Sequence, residues 1–206
     1  MAAGNLLTEG AQITAFPPPL KTRMIHFELG VDADSWIQWG SANGVDPRML
    51  SFIGYKPHLL YNPRAGSSDF TFSCPRNITM ASTLTKGSPI THEDVSLLAG
   101  TISEGVAREY IGYVKVYQNL PHIDKILANP ESTPIPTEPS ERYATSSHIA
   151  EHITQDNADT LMIYVQRLPL EIQTICLRMA MGRDHMLLMN DKIDAWYNIN
   201  ATRKVA

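Results

Sequence analysis

The sequence predicts a mainly α fold with one strand near its front. Three observations carry this. Between residues 95 and 117, apolar side chains recur every three or four positions, the period of a helix. Pro47, Pro75 and Pro169 each stand where a helix can open, because the N–H a proline lacks has no partner in a first turn. Only RMIHFELGV, residues 23–31, alternates with the period of two that a half-buried strand requires. A lone strand is not stable, so this one needs partners from elsewhere.

The elements follow in chain order. Residues 1–21 hold Gly4, Gly10 and the run Pro17-Pro18-Pro19, which imposes an extended piece. The strand at 23–31 comes next. Asp32 or Asp34 caps a helix through Trp36 and Trp39 that Gly44 ends. Pro47 opens a short helix through Met49, Leu50 and Ile53. Residues 55–74 form a loop rich in Pro, Gly and Ser, and a helix starting at Pro75 runs through Ile78, Met80 and Leu84. Thr91 to Asp94 reads as a capping box, with Asp94 in place of the usual Glu. Behind it Val95, Leu98, Ile102, Val106, Tyr110, Val114 and Tyr117 mark one long amphipathic helix. Gly100, Gly105 and Gly112 each weaken that helix by up to ~1 kcal/mol, and close approach of a neighbouring helix is the expected return. NPESTPIPTEPS, residues 129–140, is a linker or an extended surface crossing. Helical segments follow at 140–152, 156–168 and 169–181, and NDKIDAWYNINA forms a terminal helix.

Composition narrows the function classes. The net charge of −4 disfavours a nucleic-acid surface, which needs a basic face. No apolar run approaches the ~20 residues of a membrane span. The start lacks the basic-then-apolar pattern of a secretory signal. Cys74 and Cys176 are the only cysteines and stand far apart, so a reduced, cytoplasmic protein is expected, without a disulfide framework.

Arg76 raises the functional question. It follows Pro75 at the positive end of a helix dipole, where a cation is disfavoured by a few tenths of a kcal/mol, up to about 1. Such an arginine either reaches back into water or reaches toward an anion that the same helix end attracts.

The order of the pieces resembles the C-terminal part of a MoxR-like AAA+ ATPase. AAGN at 2–5 is similar to the sensor 1 end of a sheet strand. PPPLKTRMIHFEL at 17–29 is similar to the segment leading into the last strand of the ATPase sheet, and SCPRN at 73–77 to sensor 2 at the start of a lid helix. LLAGTISEGVAREYIGYVKVYQNLP (97–121) and YVQRLPLEIQ (164–173) resemble the helical tail of a bacterial and phage branch of these ATPases. The resemblance implies three parts: a remnant of the ATPase core at 1–31, a helical lid with sensor 2 at 32–128, and a helical C-terminal extension at 129–206. It implies that Asn5 orients the attacking water or the γ-phosphate. Arg23 would be the arginine finger acting on a neighbouring subunit's ATP. Arg76 would contact the terminal phosphates of ATP, a task suited to a planar guanidinium with forked donors. An oligomer with upstream ATPase cores or full-length ATPase subunits is implied as well.

The departures from the family shape the expectation. No GxxxxGK[ST] loop exists in these 206 residues, and no apolar strand ends in Asp-Glu to hold magnesium. In the family both precede sensor 1. The chain is therefore expected to sense ATP and assist its hydrolysis within an assembly, with magnesium supplied by the missing upstream part, and not to hydrolyse ATP alone.

Two other readings stand behind this one. The first is a stand-alone helical interaction module with no nucleotide role. The second, more remote, rests on HIAEH at 148–152, which fits the H-x-x-E-H pattern of inverted zinc peptidases. On a helix His148 and His152 share a face, and Glu151 would be the general base. The only glutamate downstream, Glu171, lies too close in sequence for that family's third ligand, so no metal site is assigned.

Overall fold

The computed structural model describes residues 17–63 and 70–200. It is mainly α, with eleven α-helices among the described residues. α1 spans Pro18–Lys21, α2 Ala33–Ala42, α3 Pro47–Tyr55, α4 Pro75–Thr85, α5 Val95–Ile102 and α6 Glu104–Gln118. α7 spans Ile123–Ala128, α8 Pro139–His152, α9 Ala158–Val165, α10 Leu170–Arg183 and α11 Asp191–Asn200.

The helix starts follow the predicted chemistry. Asp32 caps α2 by accepting from the Ser35 N–H at 2.7 Å, and Gly44 takes φ +71° just past its end. Asp46 caps α3, with Pro47 in its first turn. Thr91 and Asp94 form the capping box ahead of α5.

α3 lies at the centre. Met49, Phe52 and Ile53 are fully buried, and the helix packs on α2, α6 and α8. Ser51 joins three helices: it donates to the Tyr143 carbonyl of α8 at 2.9 Å and so accepts from the Tyr113 hydroxyl of α6. Phe52 and Tyr55 carry the contact into an aromatic cluster with Tyr110, Tyr113 and Tyr143. α10 packs on both α8 and α2, and one contiguous core runs from Trp36 to Trp196. Trp196 of α11 is fixed there by donating to Gln173 Oε1 at 2.7 Å.

Several expectations are corrected. Among the described residues there is no strand. Residues 25–32 belong to no helix or strand and pair with no described segment, so the sheet hydrogen bonds that define a strand are not made, and Ile25, Phe27 and Leu29 stand 83–95% exposed. Of the three prolines only Pro17 stays extended, at φ −55° and ψ 144°, since Pro18 and Pro19 open α1, whose first turn needs no N–H from them.

The long helix is two. The chain breaks at Ser103, which holds φ +75° and ψ 155°, a region that only glycine enters freely. Nor do the glycines there meet a neighbour, because a Cβ built at Gly100, Gly105 or Gly112 touches nothing within 4 Å. The close approaches are elsewhere: a Cβ on Gly40 of α2 would lie 2.7 Å from Leu50 Cδ2 of α3, and one on Gly182 of α10 would lie 3.2 Å from Ser41 Cβ of α2.

The proline-rich stretch is a pinned crossing rather than a loose linker. Arg167 donates to the carbonyls of Pro130 and Thr133, at 2.6 and 3.0 Å. Tyr164 donates to Pro134 O, Arg142 donates to Pro136 O, and Thr133 is buried.

Candidate functional site

Arg76 occupies the second position of α4. The face formed by Ile78, Ala81, Ser82 and Thr85 is buried, which turns Arg76 outward with Met80 and Leu84 along the same stripe. Met80 and Leu84 are each about half exposed. The first N–H groups of any helix lack acceptors within it. Here no side chain caps them and no acidic residue stands in the first turn. Arg76 itself is exposed, and no ion pair or hydrogen bond occupies its guanidinium among the described residues. A helix dipole and a free guanidinium thus point into the same solvent.

The helix is held firmly from its other end. Asp46, 2% exposed, receives the Arg48 guanidinium on both oxygens, with Nη2 to Oδ2 at 2.6 Å. The same guanidinium donates to the carbonyls of Thr85 and Ser88, just at and beyond the end of α4, at 2.8 and 2.9 Å. Asp46 N–H donates to Ser82 Oγ at 2.8 Å. Ahead of α4, Asn77 donates to Thr71 Oγ1 and to Phe72 O, and Thr71 donates to Thr101 O, which ties the approach segment to α5.

Of the other predicted site residues, Arg23 lies in the exposed turn after α1, where its N–H donates to Leu20 O at 3.1 Å. Asn5 falls outside the described residues.

A second cluster gathers at the end of α8. His148, Glu151 and His152 place one ligand-type atom each within 4.8 Å of one another. The His148 and His152 rings are 4.6 Å apart between centroids. His152 Nδ1 donates to the His148 carbonyl at 2.8 Å, leaving Nε2 as the nitrogen with a lone pair. Tyr117 of α6 donates to Glu151 Oε2 at 3.3 Å and sets its ring edge-on to His148. Burial first, then the nearby His152 and His122, pulls the His148 pKa down to about 4. Burial and the Glu151 carboxylate push the Tyr117 phenol up.

The H-x-x-E-H spacing reveals three members of this cluster. Tyr117 stands 34 positions before Glu151 and reads in the sequence only as part of a packed helical face. The Asp46–Arg48 pair is likewise silent in sequence, because its importance lies in the carbonyls it reaches some 40 positions away.

Compared with protein-family models, curated proteins and solved structures, the chain matches none.

Proposed function

We propose that this chain is the sensor and lid portion of a MoxR-like AAA+ ATPase, working inside an assembly and not hydrolysing ATP alone. The observation that carries the reading is Arg76. Among the described residues it is exposed and unpaired, at a helix start with neither a capping side chain nor an acidic residue in its first turn, and such a helix end with a guanidinium beside it is suited to phosphate.

Two further observations support the reading. Met80 and Leu84 continue the Arg76 stripe as exposed apolar surface, which an ATPase core docking over the helix would cover. Ile25, Phe27 and Leu29 offer an alternating apolar edge, ready to join a sheet supplied by that core. In the assembly Arg76 contacts the terminal phosphates of ATP in its own subunit. Arg23 acts as a finger on the neighbour's ATP, and Asn5 serves as sensor 1. Magnesium and the phosphate-binding loop come from the upstream part, in a cytoplasmic homo- or hetero-oligomer.

Binding of a fluorescent ATP analogue tests this. The chain alone is expected to give no saturable signal. With the product of the reading frame immediately upstream, provided it carries GxxxxGK[ST], a signal is expected that Arg76→Ala weakens. Tight binding by the chain alone contradicts the proposal. So does a complex indifferent to Arg76→Ala, which would favour a helical interaction module without a nucleotide role.

A further inference from the structure

We infer that His148, Glu151 and His152, held by Tyr117, form a binding site for a zinc-type divalent ion. The site is independent of the nucleotide reading.

The donor set comes from one helix end. His148 lies three positions before Glu151 and four before His152, so on the helix surface it neighbours both, and three ligand-type side chains gather without any long-range folding event. Two imidazoles and a carboxylate are the ligand types borderline ions such as zinc take. A tetrahedral ion with bonds of about 2.0–2.1 Å needs its ligand atoms roughly 3.4 Å apart. The ligand-type atoms now lie within 4.8 Å of one another, so binding an ion draws them together by up to about 1.4 Å.

The surroundings match what metal ligands require. A ligating histidine usually donates its other ring N–H to a carbonyl or carboxylate, which fixes the tautomer and aims the free nitrogen. His152 already does so, through Nδ1 to the His148 carbonyl. A ligating carboxylate is usually hydrogen-bonded in turn. Glu151 accepts from Tyr117 on Oε2, which leaves Oε1 for an ion. The half-buried His148 ring has no hydrogen-bond partner among the described residues, although it touches Tyr117 and His152. Tyr117 thus orients one ligand and backs another from a different helix. Three protein ligands leave at least one coordination position open to water or to an added group.

The test uses the full chain, stripped with a chelator and then equilibrated with zinc chloride. One equivalent of zinc is expected to remain after dialysis and to raise the thermal midpoint. His148→Ala and His152→Ala are each expected to abolish retention. Tyr117→Phe, which keeps the ring and removes the donor, is expected to weaken affinity by about tenfold or more, the usual effect of losing an outer-shell partner. His92→Ala, at an exposed histidine of another element, is the control and is expected to retain zinc. If the histidine variants fail to fold, zinc-edge X-ray absorption on the wild-type chain decides: two imidazole nitrogens with oxygen support the site. No retained zinc, zinc retained equally by folded His148→Ala, or a spectrum without imidazole scattering overturns it.

Discussion

Replacing Arg48 by methionine probes the clasp that holds the Arg76-bearing helix. Asp46 and Arg48 have side chains only 4% and 15% exposed, so this is a buried pair. In the variant the Asp46 carboxylate keeps the backbone N–H of residue 48, at 2.9 Å, and loses every guanidinium donor. The Thr85 and Ser88 carbonyls lose theirs as well. Breaking a buried pair by removing one partner costs ~3–5 kcal/mol, because the other charge stays behind uncompensated. That is a large part of the roughly 5–15 kcal/mol by which a domain is stable. With a urea slope of about 2 kcal/mol/M, the unfolding midpoint falls by about 2 M. Circular dichroism in urea measures it. Adding Asp46→Asn removes the stranded charge and should restore a clear part of the loss. A change below about 1 kcal/mol, the range of an exposed pair, or a double variant no more stable than the single one, refutes the reasoning.

Gly112→Ala in the exposed middle of α6 should stabilise by up to ~1 kcal/mol, since the new methyl meets nothing, whereas Gly40→Ala should destabilise through its contact with Leu50; urea midpoints of the two should move in opposite directions. Ser103→Gly should stabilise by about 1 kcal/mol by relieving a backbone conformation that costs ~1–3 kcal/mol in a non-glycine residue, also read from urea unfolding. The pKa of His148 is lowered from its ordinary 6.5 to about 4, so between those values the unfolded chain binds more protons than the folded one. In metal-free protein, stability should therefore fall as the pH drops through that window and this contribution should level off below about 4. Thermal melts of wild type and His148→Gln across pH 7 to 3.5 check it, with a shallower acid slope expected in the variant. His152, His122, Glu151 and Tyr117 surround the ring and remain in both proteins.

Helix starts were legible because they depend on a few local atoms. Pro47, Pro75, Asp32 and the Thr91–Asp94 box act within one turn. The break at Ser103 was hidden by an unbroken apolar period, and Ser103 makes no side-chain cap bond at the start of α6 that a capping signal could have announced. The alternation at 23–31 is a strand pattern in the sequence, but a strand is a property of a pair, and no strand occurs among the described residues. The exposure of Arg76 could be anticipated from its place on the helix opposite Ile78 and Ala81. The support of Glu151 by Tyr117 could not, because only the packing of α6 on α8 brings them together.

The central claim of the proposed function is that Arg76 meets a triphosphate held by another polypeptide segment. It is tested most directly by ATP turnover in a mixture of this chain with a separate ATPase core carrying GxxxxGK[ST], the partner the proposed function calls for, comparing wild type and Arg76→Ala. The account predicts no turnover by the chain alone, turnover by the mixture, and a loss of about a hundredfold in kcat with Arg76→Ala, the size expected when one preorganised donor to developing charge is removed. Undiminished turnover with a folded, assembled Arg76→Ala chain would contradict it.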